Sequence, residues 1–139
     1  KFFYKFKPDI VQGPLNIFDQ RIIRSGWLKK LDKSNVEFHA RSIFLQGLLL
    51  KNSDKIPIKF KKYNKIFKKY HQWLEKNSLD AFRACLYFIF STKFVKKIII
   101  GVDNHFQLQD IISVKYNKKK YNFKQLSCLN KKLINPTNW

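Results

Sequence analysis

The chain has 139 residues, and 29 Lys and Arg against 9 Asp and Glu give it a formal net charge of +20. Hydrophobic residues make up 45% and aromatic residues 17%, which supports a packed core and excludes a disordered tail. The two cysteines, Cys85 and Cys128, are too few for a disulfide scaffold and resemble no zinc site, so we expect reduced thiols in a cytoplasmic protein. No apolar stretch approaches the roughly 20 residues of a membrane span, so none is expected.

Most of the positive charge comes from Lys, since Arg occurs only at positions 21, 24, 41 and 83. Asn, Ile, Phe and Tyr are abundant as well, and these residues share A/T-rich codons with Lys. A base bias in the genome explains the whole set, whereas selection for phosphate binding would favour Arg. A lysine-rich module for nucleic acid or anionic membranes therefore stays the alternative function, and no specific nucleic-acid partner is expected.

The first forty residues predict a strand, a helix and a second strand. An apolar run over 9–12, closed by Gly13-Pro14, indicates a strand that ends in a turn. Helical spacing of apolar residues predicts a helix over 19–31, and a loop over 32–35 leads to a strand over 36–40. The apolar positions of that helix are Ile22, Ile23, Trp27 and Leu31.

Two helices are predicted next. The segment 59–76 carries an apolar stripe under a lysine-covered outer side, a pattern found in membrane and nucleic-acid contacts but more often on a helix that packs against a core. Ser78 is predicted to be the N-cap of an apolar helix that runs to Phe90, with Asp80 in its first turn. The stripe consists of Phe60, Tyr63, Phe67, Tyr70 and Leu74.

A third strand and a further helix are predicted towards the end of the chain. The β-branched run over 97–101 indicates a strand buried on both faces. Asn104 and Gln107 have the spacing of a capping box, and the apolar residues of the helix that follows are expected to face inward. The tail over 117–139 is predicted to be a loop with a short helix around 126–133. The inward-facing residues are Leu108, Ile111 and Ile112.

The order of these elements predicts an α/β fold with a parallel sheet, because strands alternate with helices. Three strands alone leave both sheet edges open. The sequence also contains no Met, and its aromatic start at positions 2–4 is typical of the inside of an element. We therefore expect a fragment that lacks its N-terminal part.

Common catalytic motifs are absent from the sequence. It has no glycine-rich dinucleotide fingerprint, no P-loop, no nucleophile elbow and no pair of His at metal spacing. For His39, His71 and His105, structural roles are favoured over catalysis, and the only glutamates, Glu37 and Glu75, do not suggest a paired-carboxylate hydrolase. We predict no catalytic residue and no metal ligand in this chain.

Three segments, in this order and spacing, carry a resemblance to a known family. They are DIVQGPLNIFDQR at 9–21, VEFHARSIFLQGLL at 36–49 and IIIGVDNHFQL at 98–108. Together they resemble the sixth, seventh and eighth strand regions of bacterial aldo-keto reductases, and the closing NPTNW at 135–139 is similar to the end of some members.

The resemblance implies an α/β fold made of about the last three strand–helix units of a (β/α)₈ TIM barrel of ~250 residues or more. Residues 1–139 would then be one incomplete barrel domain whose N-terminal part is its missing partner. The family's NADP or NAD cofactor implies hydride transfer to or from a small-molecule carbonyl compound or alcohol, such as a sugar. The family's Asp/Tyr/Lys/His set is not in this chain, so the resemblance implies a cofactor-binding wall that is inactive alone.

The resemblance also assigns site residues in the two earlier segments. Gln12 matches the glutamine that holds the nicotinamide carboxamide, although a strand-end contact to a neighbouring loop is equally open. Ser42 and Phe44 match positions that line the pyrophosphate. Arg41 departs from the family, because many members place there an aromatic residue that stacks on the nicotinamide.

The third segment would bind the adenosine end of the cofactor. Gly101 allows close backbone approach at the strand end, where free amides open a helix. Asn104 and Gln107 fall near the adenosine phosphate and Asp110 near the adenine, with helix capping or a solvated helix face as their alternative roles. Asp103 and Gln107 lie where NADP-preferring members offer positive charge, so preference for NAD, or weak cofactor binding, is implied.

Overall fold

A computed structural model of the chain describes residues 5–6, 8–115 and 119–139. The aromatic start at 2–4 and the first tail positions at 117–118 lie outside these described residues. In the described part, three parallel strands form one open sheet in the order β1-β2-β3. The predicted parallel α/β arrangement is confirmed. The strands are β1 (Ile10–Pro14), β2 (Glu37–Arg41) and β3 (Val95–Ile98).

Helices and short 3₁₀ turns fill the connections between the strands. The helices are α1 (Arg21–Arg24), α2 (Trp27–Lys33), α3 (Asn64–Lys76), α4 (Ala81–Ser91), α5 (His105–Ser113) and α6 (Lys131–Ile134). The 3₁₀ turns are Leu48–Leu50, Ser53–Lys55, Ile58–Tyr63, Lys124–Leu126 and Pro136–Asn138.

Strand β1 is longer than predicted. Gly13 and Pro14 were expected to form the turn, but they pair in register with Ala40 and Arg41 of β2. Proline lacks an amide hydrogen, so it is tolerated at the end of an edge strand, where no bond from that amide is needed. The carboxyl end of β1 therefore lies at Pro14, two residues beyond Gln12.

The single helix predicted over 19–31 is wrong, because two short helices occupy this region. Gly26 separates them in the left-handed conformation, with φ of 74°, which glycine adopts without steric cost. After this interruption the second helix buries Leu28 and Leu31 and leaves Trp27 39% exposed.

The N-cap predicted at Ser78 is wrong. Asp80 caps α4, because its extended backbone lets the carboxylate accept a 2.7 Å hydrogen bond from the Arg83 amide. Ser78 has a positive φ of 51° in the turn that ends α3. Two polar residues near a helix start make the choice of cap ambiguous in sequence, and backbone geometry decides it.

The third strand differs from the prediction in position and in burial. It spans Val95–Ile98, with Lys96 and Lys97 exposed, so it is not buried on both faces. Among the described residues it pairs only with β2, which leaves its outer edge open to solvent. The Ile99 amide extends the pairing by donating a 2.8 Å bond to the Ala40 carbonyl.

Helix α5 has the predicted cap at Asn104, although Gln107 reaches back to the Asp103 amide and not to that of Asn104, and it lacks the predicted burial. Asn104 Oδ1 accepts from the Gln107 amide at 3.0 Å, and Gln107 Oε1 accepts from the Asp103 amide at 2.9 Å. Leu108 and Ile112 are 48% and 72% exposed, so the expectation that they face inward is wrong. Helical spacing identifies an apolar face, but it does not show that another element covers that face.

The core lies on one face of the sheet, where α2 contacts β2 and α4 contacts β3, and α3 adds buried side chains to it. The apolar stripe predicted for 59–76 is buried throughout, from Phe60 to Leu74, as expected. The C-terminal segment packs on the same core, because the Cys128 amide donates to the Phe18 carbonyl at 2.8 Å. Gln20 Nε2 adds a 2.9 Å bond to the Phe123 carbonyl. The short tail helix begins at Lys131, later than predicted.

Candidate functional site

A cleft of about 960 Å³ opens beside the carboxyl ends of β2 and β3. One wall comes from the segment after β2, over 41–51, and the other from the segment after β3, over 99–111. Parallel strands bring their carboxyl ends to the same edge of a sheet, so loops distant in sequence meet there. The volume falls in the range of small-molecule sites.

The cleft brings together seven of the nine residues that the resemblance singled out. They lie on both walls, which are almost fifty residues apart in the chain. These lining residues are Arg41, Ser42, Phe44, Gly101, Asp103, Gln107 and Asp110.

Gln12 and Asn104 are the two predicted residues that do not line the cleft. Gln12 is exposed on β1 and pairs with His39, two residues before Arg41, so it lies on the same sheet face as Arg41. The Asn104 side chain caps α5 through the Gln107 amide, which is the alternative role left open for it. Neither placement tests a contact of these residues with a ligand.

A buried asparagine fixes the first wall. Asn16 is 1% exposed, and its Nδ2 donates a 3.1 Å hydrogen bond to the Ser42 carbonyl. Its Oδ1 accepts from the amides of Phe18 and Asp19, at 3.1 and 2.8 Å, which closes the turn after β1. One side chain therefore ties the turn after β1 to the turn after β2.

The backbone of this wall adopts conformations that side-chain-bearing residues rarely take. Ser42, Leu45 and Gln46 have φ of 57°, 49° and 53°, and Gly47 follows with 73°. Each positive φ at a residue other than glycine costs of order 1–2 kcal/mol, and such strain concentrates at functional sites. The strained segment coincides with the cleft wall.

An aromatic pair forms the apolar part of the cleft. Phe44 and Phe82 stack with ring centroids 5.6 Å apart and an interplanar angle of 21°. Phe82 comes from α4, and both rings line the cleft. Stacked aromatic rings offer a flat apolar surface to a planar ligand.

The two walls carry opposite charge. Arg41 and Lys51 lie on the first wall, and Arg41 Nη1 donates a 3.3 Å bond to Ser42 Oγ. Asp103 and Asp110 lie on the second wall. An elongated ligand with anionic and hydroxyl groups at different positions matches such a cleft.

Below the cleft, His39 and Glu37 form a hydrogen-bonded pair on the face of β2 that also carries Arg41. His39 Nε2 donates a 2.8 Å hydrogen bond to Glu37 Oε2, and Lys97 of β3 pairs in register with His39. The hydrogen bond from His39 lowers the pKa of Glu37 from its ordinary value, although slight desolvation opposes it. The pair keeps this sheet face polar.

Three cleft features were not found from the sequence. Asn16 sits in the first matching segment, and its place after a strand is typical of a side-chain-closed turn, so that signal was available. Phe82 and Lys51 reach the cleft only through tertiary packing of α4 and of the segment after β2, for which no local sequence signal exists.

Outside the cleft, His71 lines a smaller depression with Asp54, Glu75 and Asp80. Its Nε2 is buried without a hydrogen-bond partner among the described residues, and burial lowers the pKa of His71 despite the opposing charge of Glu75. In the part of the chain that the structure describes, no group of three His, Cys, Asp or Glu side chains is arranged to hold a metal ion.

The surface away from the cleft bears on the alternative function. Exposed lysines occur on α2, α3, β3 and α6, the spread expected if positive charge covers outer elements and is not gathered on one face. Within the described residues, no helix has both the length and the apolar character needed to cross a bilayer.

A parallel α/β sheet with polar residues gathered at its carboxyl edge is typical of barrel enzymes. The model of the Aldo/keto reductase family matches residues 4–131, and the chain belongs to this family. The family consists of oxidoreductases with a (β/α)₈ barrel that generally use NAD(P)H. No curated protein matches the chain.

Proposed function

We propose that this chain supplies the cofactor-binding wall of an NAD(P)-dependent oxidoreductase that acts on a carbonyl compound or alcohol, such as a sugar. The observation that carries the proposal is the convergence of seven predicted residues on one cleft at the carboxyl edge of the sheet. In barrels, phosphate groups bind at the loops after the seventh and eighth strands, the strands that β2 and β3 resemble.

The groups in the cleft fit a nicotinamide dinucleotide. The guanidinium of Arg41 and the ammonium of Lys51 would hold the pyrophosphate, with Ser42 Oγ as an additional hydrogen-bond donor. The stacked rings of Phe44 and Phe82 would support a planar base. The bound cofactor would supply hydride to the substrate carbon or remove it.

The chain's own residues account for binding but not for proton transfer. The described lining residues include no His, Tyr or Cys, and the titratable ones, Lys51, Asp103 and Asp110, have binding roles in this proposal. A carbonyl that receives hydride must also receive a proton to become an alcohol, and this proton needs a donor near the reacting oxygen. We propose that further strands of the barrel supply that donor, together with most of the substrate pocket.

The open sheet supports the same proposal. The described residues form three strands, whereas a complete barrel has eight. One sheet face carries exposed Gln12, Glu37 and Arg41, and in a closed barrel this face would point to the interior. We propose that residues 1–139 act as part of one barrel in the cytoplasm, with the missing N-terminal strands as their structural partner.

Isothermal titration of the chain with NAD⁺ tests the binding half of the proposal. We expect saturable binding of one dinucleotide per chain, weakened about tenfold in Arg41→Gln because one charge-assisted hydrogen bond is lost. Lys29→Gln, an exposed lysine on α2, is the matched control and should bind like the unaltered chain. Absence of binding, or equal effects of both substitutions, would contradict the assigned wall.

A spectrophotometric assay tests the catalytic half. We expect the chain alone to oxidise neither NADH nor NADPH in the presence of a panel of aldehydes, because the proposal leaves the proton donor to further strands of the barrel. Turnover by purified residues 1–139 would show that the chain holds a complete active site and would refute the assignment of a wall alone.

A further inference from the structure

We propose that this cleft binds NAD more tightly than NADP, because its second wall accepts a ribose hydroxyl and repels a phosphate. The inference rests on the proposed function, since it concerns the specificity of the same cleft. Three observations carry it: the charges of the two walls, the direction in which a dinucleotide must lie, and the way the start of α5 is held.

The second wall is acidic where the first is basic. Asp103 and Asp110 are both exposed and both line the cleft, and none of the described residues on this wall is Lys or Arg. A carboxylate accepts a hydrogen bond from a ribose 2′-hydroxyl. The same carboxylate repels a 2′-phosphate, which carries close to two negative charges at neutral pH.

The position of the reacting ring sets the direction of the dinucleotide. Hydride transfer in a barrel takes place near the barrel axis, over the carboxyl ends of the strands. Arg41, at the end of β2, lies on the sheet face that would point to this axis. Helix α5 follows β3 and belongs to the outer layer, so the adenosine ribose is the end that reaches Asp103 and Asp110.

The side-chain capping at the start of α5 strengthens the discrimination. Gln107 Oε1 accepts from the Asp103 amide at 2.9 Å, and Asn104 Oδ1 accepts from the Gln107 amide at 3.0 Å. These two amides are therefore already bonded to side chains and are less available to an incoming phosphate. The same bonds hold the Asp103 backbone in place at the rim of the cleft.

The expected preference is electrostatic and should depend on salt. At low ionic strength we expect NAD⁺ to bind about tenfold more tightly than NADP⁺, from repulsion of the 2′-phosphate by two exposed carboxylates. Raising the salt to 1 M shortens the screening distance to ~3 Å and should bring the two affinities closer together.

Calorimetric titration of the full chain with NAD⁺ and NADP⁺ measures the ratio of the two dissociation constants without any turnover. The variants are Asp103→Asn, Asp110→Asn and the double substitution, with Asp54→Asn as the matched control, because Asp54 is exposed and lies outside the cleft. The double variant should lose most of the preference by improving NADP⁺ binding, and the control should keep it.

The outcomes separate this inference from the proposed function. Equal or tighter binding of NADP⁺ by the unaltered chain would overturn the preference and leave the dinucleotide site standing. A preference that survives the double substitution would overturn the assignment to the two aspartates. If neither dinucleotide binds, the proposed function fails, and the inference fails with it.

Discussion

Asn16 donates a 3.1 Å hydrogen bond from its Nδ2 to the carbonyl oxygen of Ser42, which joins the turns that follow β1 and β2. The bond spans 26 positions of sequence and is made by a side chain that is 1% exposed. The bond holds Ser42, the first residue of the strained wall of the cleft, whose φ is 57°.

Asn16→Ala should destabilise the chain by about 2–4 kcal/mol, because it leaves the Phe18 and Asp19 amides without their acceptor in a buried turn. Asn16→Asp keeps that acceptor but buries a carboxylate oxygen against the Ser42 carbonyl oxygen, so it should also destabilise the chain and weaken dinucleotide binding. Urea unfolding and calorimetric titration measure the two effects. Asn52→Ala, at an exposed asparagine, is the control and should change neither; equal stability of Asn16→Ala and the unaltered chain would contradict the role of this bond.

Gly13→Ala should destabilise the sheet by about 1–3 kcal/mol through overpacking. A Cβ at position 13 would lie 3.0 Å from Phe38 Cε2, and the Phe38 ring is buried and cannot easily move. Gly101→Ala is the matched control, since a Cβ there meets nothing within 4 Å. Its free energy of unfolding should stay within about 0.5 kcal/mol of that of the unaltered chain. Thermal unfolding compares the two variants; equal melting temperatures would show that β1 and Phe38 do not pack as described.

Asp80→Ala should cost about 1 kcal/mol, because it removes the N-cap of α4. Asp80→Asn keeps a side-chain acceptor and should recover most of that loss. Partial burial acts to raise the pKa of Asp80, but hydrogen bonding from Arg83 outweighs it. The pKa of Asp80 therefore lies below its ordinary value. The carboxylate therefore stabilises the fold above its unfolded pKa of ~3.9, and this contribution is lost as the pH falls through the lower folded value.

Chemical unfolding of both variants between pH 2 and pH 7 measures this dependence. The difference between the unaltered chain and Asp80→Asn should be constant at neutral pH and shrink in acid. A difference that grows as the pH falls would contradict the depressed pKa of Asp80. Because the side chain is 46% exposed, we expect the pH-dependent part to be small.

Both cysteines should react slowly with thiol reagents in the native chain. Burial raises the pKa of Cys85 to about 12, with the Tyr70 hydroxyl opposing, and burial also raises the pKa of Cys128. Since the thiolate is the reactive form, little modification is expected at pH 8, and Cys85 should be the slower of the two. Absorbance assays before and after adding denaturant count the accessible thiols; rapid labelling of native Cys85 would contradict the buried site.

Local sequence patterns predict several elements of this fold correctly. Strand β2 is predicted well because buried Phe38 and Ala40 alternate with polar neighbours. The burial of the stripe over 60–74 is predicted well because its spacing is helical, but its first part forms the 3₁₀ turn Ile58–Tyr63 and only the rest lies on α3. The cap at Asn104 is predicted correctly because it depends only on residues within one turn. Each of these signals is local.

The errors arose where another element decides the outcome. Leu108 and Ile112 lie on an apolar helix face, but in the described residues nothing covers it. Ser78 and Asp80 are both good caps, and only the backbone conformation separates them. The packing of Cys128 beside Phe18 joins segments more than a hundred residues apart, which no periodicity reveals.

The most direct test of the account is a map of backbone amide chemical shifts in the ¹⁵N-labelled chain during titration with NAD⁺. We predict saturable shifts concentrated at residues 41–51 and 99–111, the two walls of the cleft, and small shifts elsewhere. No saturable change, or changes centred on the lysine-covered outer side of α3, would contradict a dinucleotide site at the ends of β2 and β3.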